Sequence, residues 1–79
     1  MLFHFEFRND GRWETIGSGE GAGEEAALRE LCALAGGTLP AGTYRCIAAR
    51  SDSTRWESLS LAEDGTVGPP EELATPAVR

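Results

Sequence analysis

The chain of 79 residues carries 13 acidic and 7 basic side chains, for a net charge of −6. This length allows one small domain, whose modest core leaves little room for a deep catalytic cavity. The acidic balance argues against binding to a nucleic-acid backbone, because such binding depends on neutralising phosphates. Every basic residue is an arginine, so chemistry that needs a lysine, such as a Schiff base, is excluded.

Cysteine usage and the N-terminal segment bear on the compartment. Two cysteines, Cys32 and Cys46, are too few for a disulfide framework, and we expect both to be reduced core residues. The first ten residues lack the basic start and apolar run of a signal peptide. No stretch approaches the roughly 20 apolar residues of a membrane span. These patterns predict a cytoplasmic protein with no membrane partner.

The first sixteen residues have the pattern of a β-hairpin. Phe3, Phe5 and Phe7 alternate with polar residues over 2–8, which is typical of a strand with one buried face. A second strand is predicted over 12–16.

The turn between these strands allows two registers. A two-residue Asp10-Gly11 turn would place Trp13 opposite Arg8 and mix core and solvent side chains on each face. A three-residue loop with Gly11 in the left-handed region places Trp13 opposite Phe7 instead. We therefore predict the three-residue loop, with Trp13 on the core face.

A helix is predicted over residues 23–35, after a glycine-rich segment (17–23) that we interpret as a flexible connector. Glu24 and Glu25 fall in its first turn, where the helix dipole favours acids. Apolar residues recur at spacings of three and four, and Gly36-Gly37 ends the helix.

Further strands are predicted over 43–50 and 55–61, with a possible short strand at Thr66-Val67. The order ββαββ predicts an α+β domain over residues 1–67, a four-stranded antiparallel sheet with one helix packed on one face. Three of the four prolines lie beyond residue 67, and residues 68–79 are predicted to be a flexible C-terminal tail.

The sheet face opposite the helix, the outer face, has no covering element in the predicted fold. A four-residue loop (51–54) pairs Ala49 with Trp56 and turns Trp56 outward; a bulge would turn it into the core. An outward tryptophan beside isoleucine and arginine is the residue mix of interface hot spots. The predicted interface consists of Arg12, Ile16, Arg45, Ile47 and Trp56.

Two other surfaces offer weaker hypotheses. The acidic charge is concentrated in the helix region, where four carboxylates (Glu20, Glu24, Glu25 and Glu30) face one guanidinium, and in the tail. Such a surface is usually only solvated, but it also occurs in inhibitors that mimic nucleic acid. His4, the only histidine, is predicted beside Glu6 and Glu14, without the further ligands or nucleophile that a metal or catalytic site requires.

The sequence therefore predicts a small, non-enzymatic interaction or regulatory module with no metal and no cofactor. It would bind a protein partner, or a second copy as a homodimer, through the outer face. The alternatives are an acidic inhibitor of the phage or mobile-element type and, less favoured, a small enzyme that uses His4.

Overall fold

A computed structural model describes residues 1–50 and 52–69 of the chain. These residues form one helix and five strands, which confirms the α+β class; the fifth strand lies beside the position of the possible short strand at Thr66-Val67. The elements are β1 (Leu2–Asn9), β2 (Arg12–Glu20), α1 (Glu24–Leu34), β3 (Gly42–Ala48), β4 (Glu57–Leu61) and β5 (Val67–Gly68).

The sheet has the order β2-β1-β3-β4-β5, with every neighbouring pair antiparallel. Helix α1 lies across one face and packs mainly against β2. The core between helix and sheet is entirely apolar among the described residues and consists of Phe3, Phe5, Ala27, Leu28, Leu31, Tyr44, Cys46, Leu59 and Leu61. The opposite face of the sheet is left without a covering element in this part of the chain.

The β1–β2 hairpin differs from the prediction. Its turn has two residues, with Asp10 at φ 55° and Gly11 at φ 79°, the left-handed pair that tight hairpins favour. Trp13 therefore pairs with Arg8, and Phe7 pairs with Glu14 rather than with Trp13. Because neighbouring residues on a strand face opposite sides, this shift of one moves Trp13 from the core face to the outer face.

The glycine-rich connector is also different, because residues 17–20 belong to β2. A bulge leaves Ile16 without an opposite residue, so that Phe5 pairs with Gly17 and Phe3 with Gly19. A Cβ atom on Gly19 would lie 2.0 Å from the carbonyl oxygen of Ala27. Glycine at this position lets the helix backbone rest directly on the strand, so these residues serve packing rather than flexibility.

The β3–β4 pair has the predicted faces but not the predicted register. Tyr44 pairs with Leu59 and Arg45 with Ser58, a register two residues away from the predicted one, in which Ala49 pairs with Trp56. A shift of two preserves the alternation, so Tyr44 and Leu59 remain in the core as expected.

The predicted tail begins with described structure. Gly68 closes β5 by pairing with Ser60, and the Ser60 Oγ donates a hydrogen bond of 2.7 Å to the carbonyl oxygen of Pro69. The remainder of the predicted tail, residues 70–79, lies outside the described residues. Within the described part, no helix has the length and apolar character needed to cross a membrane.

Candidate functional site: an arginine between two tryptophans

The centre of the outer face is occupied by Arg45, which lies between two tryptophan rings. Its guanidinium carbon is 4.4 Å from the centre of the Trp13 ring and 4.2 Å from that of Trp56. Both distances are within the range of cation–π attraction. The two tryptophans of the chain, which are far apart in sequence, thereby contact the same side chain.

Glu6 supplies the counter-charge of Arg45. Its Oε1 accepts a hydrogen bond of 2.8 Å from the Nε atom of Arg45 and lies 2.6 Å from Nη2 in an ion pair. The side chains of Arg45 and Glu6 are 28% and 21% exposed, so the pair is partly shielded from water. We call these four residues (Glu6, Trp13, Arg45 and Trp56) the Arg45 cluster.

Strand pairing explains why these side chains meet. Glu6 pairs with Arg45 across β1 and β3, and directly opposed side chains on one face lie about 5 Å apart. Trp13 reaches the cluster from β2, because the two-residue turn directs it outward. Trp56 immediately precedes β4, next to the Arg45–Ser58 pair. Side chains from β1, from β2 and from the loop before β4 thus surround one arginine of β3.

The cluster leaves apolar surface open to solvent. Trp56 is 39% exposed although it stacks on Arg45, and Ile47 on the same face is half-buried. Ile47 pairs with His4, whose Nδ1 is hydrogen-bonded to the Ser18 Oγ at 2.7 Å. The hydroxyl partner of His4 was not predicted from the sequence. The hydrogen bond between His4 and Ser18 is exposed to solvent.

The predicted interface is only partly assembled. Arg45, Ile47 and Trp56 share the outer face, as expected. Ile16 packs against the core, because the two-residue turn shifts β2 by one residue and moves Ile16 to the face opposite the predicted one. Arg12 pairs with Asn9 at the hairpin turn and alternates with Trp13, which places it on the other face.

Two members of the cluster, Trp13 and Glu6, are absent from the predicted interface. The signal for Trp13 was present: Asp10-Gly11 is a strong sequence for a two-residue turn, and that turn directs Trp13 outward. Glu6 and Glu14 are predicted on one face beside His4, but Glu14 pairs with Phe7, and its Oε1 accepts a hydrogen bond from the Asn9 side chain. The two carboxylates therefore lie on opposite faces of the sheet.

The acidic residues on the helix side are partly satisfied by other groups of the chain. The Glu30 carboxylate accepts a hydrogen bond from the backbone N–H of Glu20, and Glu25 forms an ion pair with Arg29 at 2.8 Å. Glu20 also lies 3.8 Å from the amino group of Met1. Three of the four acids in the acidic-inhibitor hypothesis thus have internal partners.

The titratable groups of the core are held in their neutral forms. Burial raises the pKa of the Cys46 thiol to about 12, and the nearby carboxylates of Glu24 and Glu57 add to the shift. Burial likewise raises the pKa of Tyr44 to about 12, with a smaller contribution from Cys32. Because a thiolate is the reactive form of cysteine, Cys46 is unreactive at neutral pH.

Comparison with known proteins adds no relative to this description: no family model, no curated protein and no solved structure matches the chain. In the portion that the structure describes, no three His, Cys, Asp or Glu side chains come together in a group that could hold a metal ion. The Arg45 cluster is therefore interpreted from its own geometry.

Proposed function

We propose that the chain is a non-enzymatic interaction module that binds a protein partner through the Arg45 cluster and the adjoining Ile47. The observation that carries this proposal is the position of Arg45, ion-paired with Glu6 and covered by two tryptophan rings. Tryptophan and arginine are the residue types that most often dominate the binding energy of an interface.

The geometry also favours a particular kind of partner surface. The charge of Arg45 is balanced by Glu6, so the centre of the face is nearly neutral and presents mainly indole and aliphatic surface. The fixed rings lose little conformational freedom on binding, which favours affinity. An uncharged, apolar surface on a folded partner fits this platform better than a charged one.

The experiment begins with capture from the source cells by the full chain, followed by identification of the captured protein and its purification. Affinity is then measured with wild type, Trp56→Ala and Leu34→Ala. Leu34 is the matched control, because it is a 72% exposed apolar residue on the helix. We expect Trp56→Ala to raise Kd about 30-fold, the effect of losing a hot spot worth about 2 kcal/mol. Leu34→Ala should bind like the wild type.

Salt dependence separates this proposal from the acidic-inhibitor alternative. A neutral apolar contact should change little in affinity between about 0.05 and 0.5 M salt, because screening acts on exposed charges. Binding that collapses over this range, is reduced by Glu24→Gln and ignores Trp56→Ala would reject the proposal and favour the acidic surface. A sedimentation experiment that finds Trp56-dependent dimers would make the partner a second copy and would also overturn it.

A further inference from the structure

The helix side of the sheet has an open hollow of about 400 Å³ between α1, the segment 35–41 that follows it and the turn that joins β4 to β5. This volume is within the range of about 300–1,000 Å³ that is typical of small-ligand sites. The apolar wall of the hollow reaches the core, because Leu28 and Leu61 are buried core residues. Cys32, Leu39 and Val67 complete this wall. An apolar molecule that entered the hollow would therefore contact side chains of the core.

Backbone hydrogen bonds hold the walls of the hollow in place. At the end of α1, the Gly37 N–H donates to the Cys32 carbonyl oxygen at 2.9 Å. In the β4–β5 turn, the Ala62 N–H donates to the Thr66 carbonyl oxygen at 2.8 Å, and the Gly65 N–H donates to that of Ala62 at 2.9 Å. A ligand therefore does not have to order these segments when it binds, which reduces the entropic cost of association.

The charged residues that line the hollow give it a negative balance. Glu63 and Asp64 line it from the β4–β5 turn. Hydrogen bonds from the Thr66 side chain and N–H lower the pKa of Asp64, so this carboxylate stays ionised well below neutral pH. Arg29 is the one basic residue among those lining the hollow, all of which are described, and it already forms an ion pair with Glu25 at 2.8 Å.

The C-terminal end of α1 adds to this negative potential. Cys32, Ala33 and Gly37 line the hollow at that end, where the helix dipole has its partial negative charge. The last turn of the helix, which lies wholly within the described residues, contains no basic side chain that would balance this charge. The hollow thus combines an apolar wall with a negative potential from two different sources.

We propose that this hollow binds a small organic cation, namely an apolar molecule that carries one protonated amine. The apolar part packs against Leu28, Leu39 and Leu61, and the amine lies beside Glu63 and Asp64. A neutral molecule would gain only the apolar contact, and an anion would be repelled by the carboxylates and by the helix dipole. The site lies on the helix side of the sheet, opposite the Arg45 cluster, so it does not depend on the proposed protein interface.

The experiment compares phenethylamine with two probes of similar shape, phenethyl alcohol and hydrocinnamate. Each is titrated into the full-length protein, and binding is followed through the backbone amide signals of a nitrogen–proton correlation spectrum. We expect the amine to shift the signals of Leu39, Gly65 and Val67. It should bind about ten-fold more tightly than the alcohol, because the alcohol lacks the attraction to the carboxylates and the helix dipole. Hydrocinnamate should bind more weakly than the alcohol.

Charge-neutralising variants test the contribution of the two carboxylates. The double variant Glu63→Gln, Asp64→Asn should weaken binding of the amine about five-fold and leave the alcohol unchanged. Asparagine retains an oxygen that can accept the Thr66 N–H, so the turn is preserved. The matched control is Asp10→Asn, Glu14→Gln, which changes the net charge equally at the opposite edge of the sheet. This control should bind all three probes like the wild type.

A chemical block of the hollow provides a test that needs no substitution. Alkylation of Cys32 with N-ethylmaleimide places a bulky group in the hollow and should abolish binding of the amine while circular dichroism stays unchanged. Amine binding that survives this block, equal affinities for the three probes, or unshifted signals at the hollow would each overturn the proposal. Signals of the hollow that shift with protein concentration in the absence of a probe would assign it to a second copy and would overturn the proposal as well.

Discussion

Arg45 donates a hydrogen bond from Nε to the Oε1 of Glu6, and its Nη2 lies 2.6 Å from the same oxygen, although 39 residues separate the two in sequence. The pair is direct and cross-strand, the Arg45 guanidinium lies between the two tryptophan rings, and both side chains of the pair are partly buried. An ion pair in this setting is screened less than one on an open surface. The arginine therefore acts as a rigid part of the surface rather than as a mobile charge.

The first prediction concerns the strength of this pair. A double-mutant cycle with Glu6→Gln and Arg45→Met should give a coupling free energy of about 1 kcal/mol, measured by urea unfolding. The matched control is the pair Glu25 and Arg29, whose side chains are more than half exposed, for which about 0.3–0.5 kcal/mol is expected. Equal coupling energies for the two pairs would show that the tryptophans provide no shielding.

The second prediction tests the close approach of helix and sheet. Gly19→Ser should lower the free energy of unfolding by about 3 kcal/mol or more, because the new Cβ would overlap the Ala27 carbonyl. The same change at Gly23 is the control, since a Cβ there meets nothing within 4 Å and Gly23 caps the helix without a side-chain hydrogen bond. Gly23→Ser should stabilise by a few tenths of a kcal/mol, because serine is a good N-cap. Thermal melts of the two variants that moved in the same direction would contradict this account.

The third prediction concerns thiol reactivity. Cys32 is partly exposed and lines an open hollow of about 400 Å³ between α1 and the turn that follows β4, whereas Cys46 is fully buried. A thiol reagent should therefore modify one cysteine per native chain at neutral pH and both after denaturation. Cys32→Ser should abolish the fast reaction. Rapid modification of two thiols in the native chain would mean that the core opens readily.

The fourth prediction is a loss of stability at alkaline pH. The pKa of Cys46 rises from 9.0 to about 12 on folding, so the unfolded chain loses this proton first. The contribution of Cys46 is complete below pH 9 and is lost as the pH rises toward 12, at up to about 1.4 kcal/mol per pH unit.

The window between pH 9 and 10 isolates Cys46, because the pKa of Tyr44 starts from 10.0 before it too is raised by burial. Urea unfolding at several pH values in this window should show a fall for the wild type and for Cys32→Ala. The fall should be much reduced in Cys46→Ala, whatever its absolute stability. A slope that survives in Cys46→Ala would assign the alkaline loss to another group.

The two strand pairings show what sequence periodicity can and cannot determine. The β3–β4 pairing was predicted two residues out of register, and because side chains alternate with a period of two, the faces of Arg45 and Ile47 were still right. The hairpin was predicted one residue out of register, which placed Trp13 on the wrong face. A register error of an odd number of residues moves every side chain of the strand to the opposite face, whereas an error of an even number moves none.

The correct hairpin register was rejected because it pairs Trp13 with Arg8 and Phe7 with Glu14, which mixes core and solvent side chains on each face. Without a bulge, the two-residue turn would pair Ile16 with Phe5 and Gly17 with His4, which would place Gly17 and Gly19 on the outer face. The extra residue moves Gly17 and Gly19 to the core face, where they meet the helix, while Ile16 still packs against the core. The sequence around Ile16 does not predict the bulge, because the contacts that the bulge permits are with helix α1, which follows later in the chain.

The same bulge has a consequence for the behaviour of the molecule in concentrated solution. β2 forms one edge of the sheet and is nine residues long, an exposed row of backbone groups on which a foreign strand could assemble. The irregularity at Ile16 divides this row into two short stretches, 12–15 and 17–20, and twists one away from the other. The edge is thereby protected against strand-to-strand aggregation by the backbone itself, in a sheet whose chain contains no lysine to do so.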